Sequence, residues 1–577
     1  MHTHSLLNMI SRATQQNWKK LGVTSAERLQ ARANKKLSAK RIIPKEYFIN
    51  PNNVSWVQQF LSKINPSESV ESIIFSVALN LLTKKNIIHK EHVVSVLKEY
   101  NYPVISAILN EMIPSDEYDI LGIIYQCLLT EGEKNIAGAY YTPACITHVM
   151  TQNCKFSNNQ QLLDPCCGTG AFLLSIQGAS PTQLYGIDCN PIAVMIAKIN
   201  LLLKYDSHEF NPNILCSDFL EEGLFCEHTA YITKQYDYII TNPPWGASNY
   251  NDSNNKNSQD TFALFFTRSY SLLKQGGIIR FLLPEAVLNV KSHSSLRKFI
   301  LNKTNLKQIT YHSISFNGVL TRVVDIEASN TSIDDYVCII KNKDKFTLPK
   351  NNFRKTENYV FNCLNSTDTD IIDLIQKHAM YDLKESIWAL GIVTGDNKNK
   401  ISNEKLFDNE PIYTGKDVSP FLLKDPTNYI KYDRDSMQQV AKEEYYRASE
   451  KLVYKFISNK LIFAYDNSQT LCLNSANILI PTIPNMSIKA VLAFLNSSLY
   501  QYLYYVLFSE IKILKGNLME LPFPSLTESQ NLEITAIVDK ILLGENNLIN
   551  ELNEFIYDLF EINNIQRRYI EQKIRGK

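Results

Sequence analysis

Asn242-Pro243-Pro244-Trp245 sets an acceptor amide, two prolines and an aromatic ring directly after an apolar run, Tyr236 to Thr241. The run reads as a strand, so the four residues fall at its carboxyl end, where open α/β sheets bind ligands. Each proline holds its φ near about −65°, and Pro243 disfavours the α region for Asn242. The Asn242 amide and the Pro243 carbonyl are both hydrogen-bond acceptors. Held toward one pocket, with Trp245 as a flat apolar wall, they suit a planar ring that bears an amino group. A proline-rich loop with a core tryptophan would explain the four residues equally well if they stood alone.

The preceding strands decide between the two. Gln161–Pro165 reads as a short strand that contains Asp164, and Cys166–Gly170 as the turn after it. Gly168 and Gly170 let the backbone approach a ligand closely. Asp188 closes the strand Leu184–Asp188, where an acid accepts hydrogen bonds from ribose hydroxyls. Asp218 closes a third strand, Ile214–Asp218, and can accept from an adenine amino group. Any one of these acids reads as well as a turn or cap residue. Three acids at three successive strand ends, with Asn-Pro-Pro-Trp at the fourth, are not explained by packing alone.

The elements that must position these residues alternate. Helices at Pro191–Lys204 and Phe262–Lys274 are interleaved with the strands, and β-rich runs follow at Ile278–Leu283, Lys307–Tyr311 and Tyr336–Lys341. This order predicts right-handed βαβ units and a mostly parallel, doubly wound α/β sheet. The chain before residue 135 is helical in pattern, with apolar spacing over Ile73–Leu82 and Ile120–Leu129. Gly138–Pro143 forms a turn into a helix, with Thr142 as N-cap and Pro143 as the first helical residue. Beyond a polar stretch, short β-like runs (Tyr429–Tyr432, Leu461–Tyr465) predict a separate α+β domain. A long apolar helix over Ile488–Phe508 and a helical hairpin within Leu532–Ile574 complete the chain. The divisions are a helical domain at 1–130, a catalytic domain at 131–350, a linker at 351–384, a recognition domain at 385–525 and the hairpin at 526–577.

The bulk composition is that of an ordinary globular protein: 577 residues, 45% hydrophobic and 20% charged, with net charge +1. A polyanion would therefore meet local patches rather than an overall positive field. One such patch is Lys19–Lys45, nine Lys/Arg with one Glu, which reads as a phosphate-contacting arm or as a solvated helix face. No apolar run is long enough to span a bilayer, so no membrane association is expected. The 11 cysteines form no Cys-x-x-Cys pair and no metal is expected; scattered thiols point to a reducing cytoplasm.

At this point the motifs match a family. In order they are Gly138-Ala-Tyr-Tyr-Thr-Pro143, Asp164-Pro-Cys-Cys-Gly-Thr-Gly170, Tyr185-Gly-Ile-Asp188, Ser217-Asp218-Phe219 and Asn242-Pro-Pro-Trp245. The chain resembles the N6-adenine DNA methyltransferases of restriction–modification systems, with cofactor motifs before the catalytic one (the γ order). Gly391-Ile-Val-Thr-Gly395, Ile412–Val418, Ala493–Ser497 and Leu521-Pro-Phe-Pro524 resemble their TaqI-like C-terminal specificity domain. The resemblance covers roughly residues 120–577 and implies a Rossmann-like methyltransferase sheet with S-adenosylmethionine as cofactor.

Residue by residue, the resemblance sets Tyr141, Thr142 and Pro143 at the methionine end of the cofactor, with Asp164, Gly168 and Gly170 nearby. Asp188 takes the ribose, and Asp218 with Phe219 the adenine. Asn242 and the Pro243 carbonyl accept from the amino group of a flipped adenine, which stacks on Trp245 and, on its other face, Phe316. Trp245 stands where the family more often has Tyr or Phe. Lys398, Lys400, Lys416, Lys455 and Lys460 are candidate phosphate contacts. Double-stranded DNA is the implied substrate, and a separate cognate restriction endonuclease a candidate partner. Competing readings are methylation of another amino nitrogen (cytosine N4, an RNA base, a glutamine) and a recognition subunit active only with a partner. An NAD-dependent oxidoreductase fits the sheet but has no hydride-transfer residues behind it.

Overall fold

The computed structural model describes residues 41, 43–130, 132–134, 142–157, 159–221, 235–245, 261–312, 322–341, 344–508 and 512–575. Tyr141, Phe316, the turn residues 138–140 and nearly all of the basic run 19–45 lie outside the described residues. The chain folds as two units, 1–363 and 364–577.

The first unit is built on a nine-stranded sheet. Its strands are β1 (Leu162–Asp164), β2 (Leu184–Asp188), β3 (Asn213–Cys216), β4 (Tyr236–Thr241), β5 (Leu273–Pro284), β6 (Asn305–His312), β7 (Val323–Ser329), β8 (Tyr336–Lys341) and β9 (Asp344–Pro349). Their spatial order is β3-β2-β1-β4-β5-β7-β6-β8-β9. β3, β2, β1, β4 and β5 are all parallel, whereas β7 runs antiparallel to both β5 and β6. The order reverses between β2–β1 and β4, which puts the cleft of an open sheet at the carboxyl ends of β1 and β4.

Alternation along the strands serves two helical layers. Leu162, Leu184, Ile214 and Ile240 face one core, and Leu163, Tyr185, Ile187, Ile239 and Phe281 face the other. The first core also takes in the helices that precede the sheet: α1 (Asn53–Lys63), α2 (Val70–Lys84), α3 (Glu91–Leu97) and α4 (Ile120–Leu128). Every one of the 9 residues of α4 is buried. α5 (Ala144–Thr151), α6 (Ala171–Ser175) and α7 (Pro191–Lys204) fill the same layer, and α8 (Thr261–Ser271) and α9 (Ser294–Lys303) the opposite one. The helices before residue 130 therefore share one hydrophobic interior with the sheet rather than enclosing their own.

The second unit has two four-stranded sheets from β10 (Ile387–Ala389), β11 (Ile401–Ser402), β12 (Glu410–Tyr413), β13 (Tyr429–Ile430), β14 (Lys451–Lys455), β15 (Phe463–Asp466), β16 (Leu471–Cys472) and β17 (Ala476–Ile480). Their orders are β10-β17-β14-β15 and β11-β13-β12-β16. Helices α10 (Ser366–His378), α11 (Ile488–Asn496), α12 (Ser498–Phe508), α13 (Glu528–Leu542), α14 (Leu548–Leu559) and α15 (Asn564–Arg575) enclose a further core with β14, β15 and β17.

Several details differ from the expectations. Ser497 is extended (φ −68°, ψ 155°) and divides the apolar segment 488–508 into α11 and α12. The tail holds three helices, α13 to α15, in place of a hairpin. β3 stops at Cys216, so Asp218 sits in the turn beyond it, where its carboxylate accepts from Leu220 N at 2.9 Å. Thr142 does not cap α5; the N-cap is Pro143. Strands β7 and β9 were not anticipated.

One buried charge cluster ties the far side of the sheet to the helices. Asp325 on β7 accepts from Arg280 Nε at 2.7 Å and lies 2.8 Å from His312 Nε2. Arg280 also donates to the carbonyls of Val149 and Met150 at the end of α5 (3.1 and 3.0 Å). Burial alone would raise the Asp325 carboxyl, but His312 and Arg280 together hold it below the usual range. Stabilisation from a depressed carboxyl is present above the ordinary carboxylate pKa and is lost as pH falls through the folded value. Asp325→Ala should lower unfolding free energy by about 3–5 kcal/mol, because it strands a buried guanidinium. Replacing Arg280 and Asp325 together with apolar residues should cost less, as read from denaturant midpoints.

Candidate active site

The glycine turn after β1 is shaped by its backbone. Gly168 and Gly170 have φ of +53° and +92°, a region that only glycine enters at little cost. Gly170 is then the N-cap of α6. Gly168 N donates to Asp188 Oδ2 at 2.8 Å, and Asn190 N donates to Asp188 Oδ1 at 2.9 Å. Asp188 thus locks the glycine turn to the loop after β2, and burial raises its carboxyl. Asn190 turns that loop into α7, its side chain accepting from Ile192 N and Ala193 N, with Pro191 as the first helical residue.

A cavity of about 690 Å³ opens at these strand ends. Gly168, Asp188, Asp218, Phe219, Asn242 and Pro244 all line it, together with the apolar Ile192 and Phe265. Phe219 is held against Phe265 with ring centroids 5.3 Å apart. Of the other expected residues, Asp164, Pro243 and Thr142 are buried behind the wall. Trp245 is half-buried and packs against the first core, and the chain after it lies outside the described residues. Tyr141 and Phe316 likewise lie outside the described residues.

The strand that carries Asn-Pro-Pro-Trp is bonded to the strand that leads into the glycine turn. Thr241 Oγ1 donates to Asp164 Oδ1 at 2.6 Å, and the Cys166 thiol lies 2.8 Å from Thr241 Oγ1 and 3.4 Å from the Asn242 carbonyl. Asn242 Nδ2 donates to Thr142 Oγ1 at 3.1 Å, which sets the amide so that Oδ1 is its acceptor end. Burial raises the thiols of Cys166 and Cys167 well above their ordinary value, so both stay protonated and neither is a nucleophile.

Sequence reasoning missed Thr142 as a partner of Asn242, and Cys166, to which no role had been given. It also missed Asp119, the N-cap of α4. The Asp119 carboxylate accepts from Thr169 Oγ1 in the glycine turn, from Asn200 Nδ2 on α7 at 2.6 Å and from Gly122 N at 2.8 Å. An acid directly before the apolar run at 120 is a cap signal, but nothing local points to Thr169. Among the candidate phosphate contacts, Lys400 is engaged with the carbonyls of Thr394 and Ser436, whereas Lys398, Lys416 and Lys460 are exposed. Among the described residues, no group of three or more His, Cys, Asp or Glu is placed to hold a metal ion. No helix of the described residues is long and apolar enough to cross a membrane.

The donor set fits a cationic nucleoside cofactor. Carboxylates line the cavity, apolar rings provide a slot for a base, and glycine backbone offers close approach. Asp164 Oδ2, behind that lining, is buried with no hydrogen-bond partner among the described residues. The open α/β sheet and the lining of its cavity fit S-adenosylmethionine as the cofactor.

The comparisons are more particular. Residues 182–316 match the Eco57I restriction-modification methylase family, and residues 410–523 the TaqI-like C-terminal specificity domain. The chain is 29% identical over 346 residues to the Type II methyltransferase M.VspI of Vibrio sp. (strain 343), covering 56% of this chain and 82% of that protein. It is 27% identical over 212 residues to the Type II methyltransferase M.HincII of Haemophilus influenzae, covering 34% and 38%. In fold it is similar to the Type IIL restriction-modification enzyme MmeI in complex with DNA (TM-score 0.52, 13% identity, 97% of this chain and 98% of that one). Two segments of the chain thus match models of a restriction-modification methylase and of a C-terminal specificity domain.

Burial raises Asp164 to about 7. A carboxyl raised in the folded state keeps its proton where the unfolded chain has lost it. Folding stability should therefore fall as pH rises from the ordinary carboxylate range toward about 7. Asp164→Asn should flatten that dependence, as read from denaturant midpoints across the range.

Proposed function

We propose that the protein is a sequence-specific DNA methyltransferase that modifies the exocyclic N6 of an adenine turned out of the duplex. The observation that carries this reading is the meeting of Asn242 and Pro244 with Asp188, Asp218 and Gly168 in one cavity. When bound, the cofactor supplies a methyl group on a positively charged sulfur. Asp188 accepts from the ribose hydroxyls through the lone pairs left beside its two backbone donors, and Asp218 with Phe219 holds the adenine moiety.

Asn242, with its Nδ2 committed to Thr142, presents Oδ1 to one proton of the target amino group, and the Pro243 carbonyl accepts the other. That nitrogen is a poor nucleophile while its lone pair is delocalised into the ring. Two fixed acceptors favour the tetrahedral form, so their stabilisation grows toward the transition state. Extrusion of the base costs a few kcal/mol, and stacking on an aromatic such as Trp245 returns about 1–3 kcal/mol. Residues 385–525 read the site, with phosphates held by exposed lysines and base edges by other side chains. A separate cognate endonuclease is the partner that modification of this type serves.

The test uses purified full-length protein, methyl-labelled S-adenosylmethionine and unmethylated duplex DNA, beside Asn242→Ala. Label should appear as N6-methyladenine and fall by about 100-fold or more in the variant, the scale of losing one transition-state hydrogen-bonding group. Transfer that survives the substitution, or label recovered as N4-methylcytosine, would overturn the assignment.

A further inference from the structure

The cavity has a wall that neither matched family segment contains. Ser69, Glu71 and Tyr102 belong to its lining, and all three come from the segment that precedes residue 130. Ser69 is the N-cap of α2, with Glu71 in its first turn. This segment is fastened to both cofactor loops. Asp119 takes Thr169 of the glycine turn, and Tyr125 Oη accepts from Asn190 Nδ2 at 2.9 Å in the loop after β2. Tyr125 is also within electrostatic reach of Asp188 and Glu71, which add to the effect of burial in raising its hydroxyl.

The three acids around the cavity differ in what already occupies them. Asp188 accepts from two backbone N–H groups and Asp218 from one. Glu71 has no side-chain hydrogen bond or ion pair among the described residues, and it stands in the first turn of a 15-residue helix. S-adenosylmethionine carries one net positive charge at neutral pH, from its sulfonium. The demethylated thioether product carries none. A carboxylate on the wall therefore attracts the cofactor and is indifferent to the product.

We propose that the N-terminal helices form the fourth wall of the cofactor site and that Glu71 makes the cavity prefer the cationic cofactor over the neutral product. This rests on the cofactor reading of the cavity. Substitution of Glu71 then acts on charge discrimination and not on the shape of the pocket.

The experiment is calorimetric titration of the full chain and its Glu71→Gln and Glu71→Lys variants with S-adenosylmethionine and with S-adenosylhomocysteine, at low and high salt. Glu71→Gln should weaken the cofactor roughly threefold to fivefold, the range of a single partly exposed charge pair. Product affinity should stay within about twofold, since no ion pair is lost, and this also reports an intact fold. Glu71→Lys should widen the loss, and salt should narrow the preference of the unsubstituted protein. Equal affinities in all three proteins, or equal weakening of both ligands, would overturn the proposal. An unsubstituted protein that binds neither ligand would remove the cofactor reading itself.

Discussion

A hydrogen bond of 2.6 Å from Thr241 to Asp164 joins the two strand ends on which the chemistry depends. β1 opens into the glycine turn and β4 into the Asn-Pro-Pro-Trp motif, and neighbouring parallel strands alone do not determine how those two loops face each other. Burying a carboxylate there is costly, and the raised Asp164 carboxyl records that cost. The Thr241 hydroxyl and Cys166 N offset part of it. The Cys166 thiol extends the same bridge to the Asn242 carbonyl. The glycine turn and the Asn-Pro-Pro-Trp motif thereby become one bonded structure.

A second layer of constraint comes from outside the sheet. Asp119 caps and Tyr125 belongs to a helix that is buried throughout, and each holds a different loop at the cavity. Burial raises Asp119 to about 6 even with three donors on its carboxylate, so the site is anchored by an acid whose desolvation is not fully compensated. That is the pattern expected where position matters more than stability.

The parts legible in sequence were those with a local signature. β4 coincides with the apolar run 236–241, and the acids at 164 and 188 stand at their strand ends because βαβ repetition leaves few other arrangements. The misjudged parts turn on competition between local signals. Asn496-Ser497-Ser498 carries capping chemistry that interrupts a helix whose apolar spacing continues on both sides. Thr142 resembles a helix cap, yet its hydroxyl is taken by Asn242, 100 residues away. β7 went unread because Val323–Ser329 carries Asp325 and Glu327 on a strand that is buried almost throughout; the acids are tolerable only beside Arg280 and His312. Long-range partners of this kind have no footprint in spacing or propensity.

The hydrophobic interiors are also partitioned: the cores of the first unit end at Cys363, and those of the second begin at Leu364. Each cluster is thus closed within its own stretch of sequence: a core side chain truncated between 364 and 577 leaves a void whose apolar lining comes from that same stretch.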